Sequence, residues 1–520
     1  MSNLIAQFEA DVSEIKQRWQ SPRQKHLQRP YPAEKVAAMR NSVHIDHVSS
    51  AQGNKLWELL NKHRKERTPL LTFGCVDPAT ASQMSRAGIE AVYVSGGVSA
   101  LQVADEIGRD HADYPSDTVP KVVARLFKTQ LFHDRRQKSY YLGRPAAEQA
   151  ELPVYDYLLP MVADGDMGFG SVTAIMKQTK MFAEAGTAMV HYDDLAIGLK
   201  KFTEKVGRTV VPLSEYLRRL TAARFQLDVL GSEMLLMSRV DCYHADFITS
   251  VVDSRDHKYV RGATVAGIES FIGTMNRALE RGENAAAARA RWLEQAKVMT
   301  FPEAVEQAAT AEEYAEFCRL FEARPAPSLD EMRAFAKKTV ATKIYFDWDV
   351  ARTSAGQYLY KACPQAVIER AVAAMPLTDT TWARMDTPVW RDIVEIHTAL
   401  RAVDSERCFG FGFTGSFDYE AAGYTWQEVC ELPARLAEMG IVFQTQPIFA
   451  LQGVNMYVYE FARMFKKEGI AGYVRDVQRP SLAGGHDHSG TAWGGNYFAD
   501  ECLNVANSMD ITMNSYTFFY

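Results

Sequence analysis

The chain has 520 residues, of which 47% are hydrophobic and 23% charged, with a formal net charge of −6. That length suits one large barrel with insertions or two to three domains, and the composition is that of an ordinary globular chain. The slightly acidic balance gives no footing for nucleic acid, and no apolar run nears the roughly 20 residues that span a bilayer. The expected partner is therefore a small molecule, with no nucleic acid and no membrane.

In chain order, the N-terminus from Met1 to Glu9 lacks a basic region followed by an apolar one, so no secretory signal is expected. Residues 1–65 are charged and helical, broken at Pro22, Pro30 and Pro32. From Leu70 onward short apolar segments alternate with helical ones, and strands are predicted at 70–73, 91–94, 158–163, 188–191, 234–237, 381–385, 408–411 and 441–444. Eight strands in this rhythm predict an α/β fold, a (β/α)8 TIM-type barrel with an N-terminal helical segment. The stretch 263–375 interrupts the rhythm, and its run from Glu283 to Glu294 is a strong helix former. It is expected to be a mostly helical insertion between strands 5 and 6, dividing the barrel into 66–262 and 376–520, the latter with C-terminal helices. The last residues, Tyr516 to Tyr520, are not a Ser-Lys-Leu peroxisomal address. Seven scattered cysteines with no Cys-x-x-Cys pair argue against a disulfide framework or a structural zinc, and a reducing cytoplasm is the expected compartment.

Several acids fall where barrel strands should end. Asp164 and Asp166 follow the third strand, Asp193 and Asp194 the fourth, and Asp110 lies in the loop after the second. In a barrel these loops meet at one face, and a hard cation such as Mg²⁺ takes oxygen ligands and keeps several waters. Asp also caps helices and starts turns, so each acid alone fits a surface loop. Gly165, Gly168 and Gly170 match neither nucleotide-binding fingerprint and suit a tight strand-to-helix turn. His486-Asp487-His488 is a metal-like triplet without a third distant ligand, and a glycine-rich loop accounts for it equally.

Ser21-Pro22-Arg23, Arg29-Pro30-Tyr31, Tyr93-Val94-Ser95-Gly96, the run Ala112 to Pro120, Val162 to Asp166, the ungapped segment Val190 to Pro212, and Phe346-Asp347-Trp348-Asp349 with Arg352-Thr353 occur in one order. In that order they resemble the isocitrate lyase family of the isocitrate lyase/phosphoenolpyruvate mutase superfamily, in its long fungal and plant form. The resemblance covers nearly the whole chain. It implies a Mg²⁺-dependent (or Mn²⁺-dependent) retro-aldol cleavage of a 2-hydroxy acid to a 2-oxo acid and a second product. By the same resemblance Asp164 is the direct metal ligand, with Asp110, Asp166 and Asp193 in its water shell. Ser95 and Gly96, beside Tyr93, hold the oxo-acid carboxylate, and Arg239 supplies a charge-assisted bond to substrate oxygens. Arg239 also fits a structural ion pair. The family implies a homotetramer.

The chain departs from the family at Lys200-Lys201-Phe202-Thr203-Glu204, where the family has Lys-Lys-Cys-Gly-His with the cysteine as the proton donor. A phenyl ring cannot donate a proton, so Glu204 is the candidate replacement acid or base, with Lys200 and Lys201 beside it; this run also fits a solvated loop. The family's tryptophan beside the oxo-acid site is Gly97 here, which should leave a larger space. The succinate-gripping Asn-x-Ser-Pro-Ser is replaced by Gly412 to Ser416, with Thr414 and Ser416 the retained hydroxyls; the family threonine after the eighth strand is Pro447, and Asp386 stands where the family has glutamate. These changes predict a substrate other than isocitrate, with an apolar wall of Phe202, Phe413 and Phe449, unless those rings are core packing. Isocitrate cleavage proper, a superfamily hydrolase or mutase, and a non-catalytic metabolite-binding homologue are the alternatives.

Overall fold

The computed structural model describes residues 2–108, 110–198, 207–413, 415, 417–483 and 496–506. Among these, the strands in chain order are β1 Leu70–Phe73, β2 Val92–Val94, β3 Met161–Asp164, β4 Met189–Asp193, β5 Arg208–Val210, β6 Leu235–Val240, β7 Ala245–Ile248, β8 Val260–Gly262, β9 Met299–Thr300, β10 Tyr358–Tyr360, β11 Thr380–Ala383, β12 Phe409–Gly412 and β13 Phe443–Gln446. Eight of them form one parallel sheet in the order β1–β13–β12–β11–β6–β4–β3–β2. A parallel bridge from Gly74 to Tyr93 joins the two ends, and the Cys75 N–H donates to the Tyr93 carbonyl at 2.9 Å. The sheet thus closes into the expected eight-stranded barrel, each strand within three residues of its predicted start. Strands β2, β3, β4 and β6 are buried along their whole length, as parallel strands covered on both faces must be. Tyr93, His191, Trp382 and Phe443 fill the barrel interior, with Tyr93 and His191 stacked at 5.8 Å and Trp382 edge-on to both.

The chain between β6 and β11 carries helices Phe271–Glu280, Ala285–Ala296, Phe301–Ala308, Ala311–Glu322 and Leu329–Thr339. Three of these begin with a reciprocal capping box: Thr300 with Glu303, Thr310 with Glu313, and Ser328 with Glu331. They pack on a separate apolar cluster that includes Phe301, Phe317, Met332 and Phe346. Alongside them lies a second sheet, β5–β7–β10–β8–β9, that the sequence pattern does not pick out. Its strands are two to four residues long, too short to set up a period. Its first strand, β5, comes from the loop after β4, which ties this layer to the barrel mouth.

The N-terminal segment is held to helix Leu213–Leu230 by one buried acid. Asp228 accepts from Arg18 Nη2 at 2.9 Å, Arg29 Nε at 2.7 Å, Trp19 Nε1 at 3.3 Å and the Tyr31 hydroxyl at 2.9 Å. Burial alone would raise its pKa, but Arg29 and then Arg18 outweigh burial and leave it lowered. Asp228→Ala is expected to cost about 3–5 kcal/mol in denaturant unfolding, since it leaves buried arginines uncompensated. Because the folded pKa lies below the unfolded value of roughly 3.9, this contribution is complete above that pH and is lost as pH falls through the lowered value.

Candidate active site

The C-terminal ends of the barrel strands make a mouth with two unlike arcs. Around one arc, β2 leads into Ser95 and Gly96, β3 ends in Asp164, β4 in Asp193, β6 carries Arg239 followed by Asp241, and β11 leads into Arg384. Around the other, β12 leads into Phe413, β13 into Pro447 and Phe449, and β1 ends in Phe73. Loops at this end of a parallel barrel are where reacting groups gather.

On the charged arc, Asp164 and Asp166 converge. Asp164 Oδ1 accepts the Asp166 N–H at 2.9 Å, and the Asp166 carbonyl accepts the Asp193 N–H at 2.8 Å. These two bonds hold Asp166 at a φ of +48°, a left-handed conformation that Asp tolerates better than most residues. A Cβ placed on Gly96 would meet the Tyr114 hydroxyl first, then Asp166 Oδ2 at 2.6 Å and Asp164 Oδ2 at 3.1 Å, so glycine here leaves a cradle between two buried carboxylates and that hydroxyl. Gly96 N–H points to Asp164 Oδ2 at 3.3 Å, and the Tyr114 hydroxyl donates to Asp166 Oδ2. Ser95 Oγ accepts from Val98 N–H at 3.3 Å, which leaves its own proton to donate. The glycine-rich turn is closed by Gly165 N–H on the His191 carbonyl at 2.9 Å and Gly168 N–H on the Gly165 carbonyl at 3.0 Å. Two buried carboxylates around a small cradle suit a hard cation that keeps several waters. Among the described residues, no group of three or more His, Cys, Asp or Glu side chains is placed to hold a metal. Of the acids expected in the water shell, Asp166 meets Asp164, whereas Asp193 Oδ1 accepts from Leu195 N–H at 3.1 Å and Asp110 Oδ1 from Ala112 N–H at 3.0 Å in its own loop.

From Asp164 a chain of alternating charge crosses the mouth. Arg239 Nη1 lies 3.4 Å from Asp164 Oδ2, while its Nε and Nη2 grip Asp241 at 2.7 and 2.9 Å. Its guanidinium also lies over the Trp382 ring at 5.2 Å. Burial opposes the charge of Arg239, but Asp241 and then Asp164 outweigh it and raise its pKa well above the ordinary value. Arg384 Nη1 approaches Asp241 Oδ2 at 3.4 Å, and its Nη2 meets Asp386 Oδ1 at 2.7 Å. Arg208, at the start of β5, pairs with the other oxygen of Asp386. The Asp386 N–H donates to His244 Nε2 at 2.9 Å, and burial pushes that imidazole down to about 4, which keeps it a neutral acceptor. Burial would raise the pKa of Asp386, but Arg384 and Arg208 outweigh it and leave it lowered.

The aromatic arc packs edge to face. Phe73 meets Phe449 at 4.8 Å and Phe411 meets Phe413 at 5.3 Å. Phe413 and Phe449 are half-buried, so these two rings of the expected wall stand at the mouth and not wholly in the core. The space expected at Gly97 is not open: a Cβ there would lie 3.3 Å from the His111 Cβ and 3.6 Å from its Cγ, so His111 covers it. Pro447 is buried, with its carbonyl against Gly74.

Of the residues singled out from the sequence, the structure brings Ser95, Gly96, Asp164, Asp166, Asp193, Arg239 and Asp386 to the mouth. Tyr93 sits a layer below, its hydroxyl on His191 Nε2 at 3.0 Å. Lys200, Lys201, Phe202, Thr203, Glu204, Thr414, Ser416 and the triplet His486 to His488 lie outside the described residues. Sequence reasoning passes over Tyr114, Asp241, Arg384 and Arg208. Asp241 carries a signal, since residues two apart at a strand end share a face and it stands two beyond Arg239. Arg208 carries none, because its partner Asp386 is 178 positions away in sequence (386 − 208).

The sequence matches the family model described as the isocitrate lyase family over residues 11–513. It is 49% identical to the mitochondrial 2-methylisocitrate lyase of Schizosaccharomyces pombe, over 98% of each chain. It is 33% identical to the mitochondrial 2-methylisocitrate lyase of Hypocrea atroviridis, over 97% of this chain and 91% of that one. It is 33% identical to the isocitrate lyase of Oryza sativa subsp. japonica, over 95% and 90%. The mitochondrial names of the first two overturn the cytoplasmic expectation. That expectation rested on free cysteines, which a reducing organelle interior permits equally well.

Proposed function

The chain belongs to the isocitrate lyase family, and we propose that within it the substrate is 2-methylisocitrate, cleaved to pyruvate and succinate. It is a carbon–carbon lyase. The observation that carries the substrate is the full-length identity to the fission-yeast 2-methylisocitrate lyase, well above that to the rice isocitrate lyase.

In this reading Ser95 donates its hydroxyl proton to the oxo-acid carboxylate. Arg239, anchored by Asp241, directs its remaining edge at the oxygen from which charge departs as the bond breaks. Asp164 and Asp166 would hold Mg²⁺, which when bound polarises the substrate's hydroxyl and carboxylate oxygens as a Lewis acid. The substrate hydroxyl gives up its proton to a base and its oxygen closes to the oxo group of pyruvate, while the electron pair of the broken carbon–carbon bond passes to the succinate carbon, which takes a proton; Glu204 is the carboxyl in the altered motif assigned to give it. The homotetramer that the resemblance implies is also part of this reading. Helix Asn455–Glu468 buries none of its residues although it carries Tyr457, Val458, Tyr459 and Phe465, a surface that calls for cover by a further chain.

One methyl in a pocket is worth about 10- to 200-fold in discrimination. The purified protein with Mg²⁺ is therefore expected to show kcat/KM for 2-methylisocitrate above that for isocitrate by a factor in this range. Equal or better release of glyoxylate from isocitrate would sink the assignment.

A further inference from the structure

We infer that Arg384 and Arg208 form the subsite for the far carboxylate of the succinate half, and that Asp386 occupies this subsite as an internal stand-in until substrate enters. The inference rests on the proposed 2-methylisocitrate reading for its ligand and on the structure for its geometry. Of the groups that the family resemblance would use on this half, the asparagine is Gly412 and the threonine Pro447, while hydroxyls are kept at Thr414 and Ser416, so its carboxylates lack two of their partners.

Two guanidinium groups converge on one carboxylate, each taking a different oxygen: Arg384 Nη2 on Oδ1 at 2.7 Å, and Arg208 on Oδ2. This is how paired arginines hold a bound carboxylate. The side chain of Asp386 is 25% exposed, against 8% for Arg384 and 9% for Arg208, so the acid is the outermost of the three although its Oδ1 is buried against Arg384. Asp386 lies in a bend beyond the end of β11 rather than in a strand, where its side chain can be exchanged without breaking a sheet ladder. A carboxylate arriving from the mouth would replace one anion by another between the same two cations, and no charge is left buried and alone. The position is also right along the mouth. Arg384 shares Asp241 with Arg239, and Arg239 reaches Asp164, so the subsite stands one carboxylate beyond the cradle end. Arg384 further adjoins the aromatic arc, since β11 is the neighbour of β12.

The test is calorimetric titration of succinate into the full-length protein with Mg²⁺ present. Asp386→Asn keeps the shape and removes the competing charge, and is expected to tighten succinate by at least about fivefold. Arg384→Gln is expected to weaken succinate by about tenfold or more, and pyruvate titrated in parallel should shift with neither substitution. Should Arg384→Gln fail to fold, Asp386→Asn alone decides, because its side chain is the outermost of the three. Unchanged or weaker succinate binding in Asp386→Asn overturns the subsite. If the unmodified protein fails to cleave 2-methylisocitrate while Asp386→Asn still tightens succinate, the substrate assignment falls and the subsite stands. If the unmodified protein cleaves 2-methylisocitrate while Asp386→Asn leaves succinate binding unchanged, the subsite falls and the substrate assignment stands.

Discussion

Asp164→Asn is expected to lower the rate of 2-methylisocitrate cleavage by about 10²–10³-fold or more while the barrel stays folded. The substitution preserves shape but removes one of the two carboxylates that meet at the Gly96 cradle, where a cation needs charged oxygen ligands. It also removes the anion 3.4 Å from Arg239 Nη1, so the guanidinium keeps its bidentate grip on Asp241 but loses its bridge to the cradle. The amide oxygen can still accept the Asp166 N–H that the carboxylate accepts at 2.9 Å, which is why the fold should survive. Steady-state rates across a Mg²⁺ series, with thermal unfolding of both proteins, check this. Turnover near the parental level at low Mg²⁺ would show that Asp164 is not the ligand.

Arg239→Lys is expected to lose comparable activity and, unlike the first variant, to lose stability as well. Arg239 commits two N–H groups to Asp241 and a third to Asp164, and only a planar fork can do this. A lysine ammonium can meet one of these acids, which takes from the other, buried acid the guanidinium that faces it. Breaking a buried pair in this way costs about 3–5 kcal/mol. The same change takes the planar guanidinium from its place 5.2 Å over Trp382, weakening a contact of about 0.5–2 kcal/mol. Denaturant unfolding together with kcat/KM separates the two effects. Intact stability with abolished turnover would mean that the Asp241 pair is not what holds this end of the barrel, whereas unchanged turnover would remove Arg239 from the chemistry.

The barrel is legible in the sequence because its strands are buried on both faces and so stand out as apolar runs such as Met161 to Ala163 and Met189 to Val190. The acids at their ends are legible for the same reason: once a strand is placed, its C-terminal neighbour must face the mouth. The short strands β5, β7, β8, β9 and β10 leave no trace, since two to four residues carry no period and their pairing spans distant segments. Gly97 is legible as a missing side chain, but not as a filled space. Whether a neighbour moves in is decided by the loop from Asp110 to Asp113, and there His111 does so.

What the sequence by itself determined is the family, the eight-stranded barrel and the residues that stand at its strand ends, because these follow from local pattern and from motifs in order. Only the tertiary structure decided which of those residues meet. It joined Asp164 to Asp166 across Gly96, kept Asp110 in its own turn, and linked Arg239, Asp241, Arg384, Asp386 and Arg208 from separate segments into one line of alternating charge. The physical reason is that pairing a buried charge depends on distances of about 3 Å in space, and separation along the chain says nothing of these until the barrel has closed.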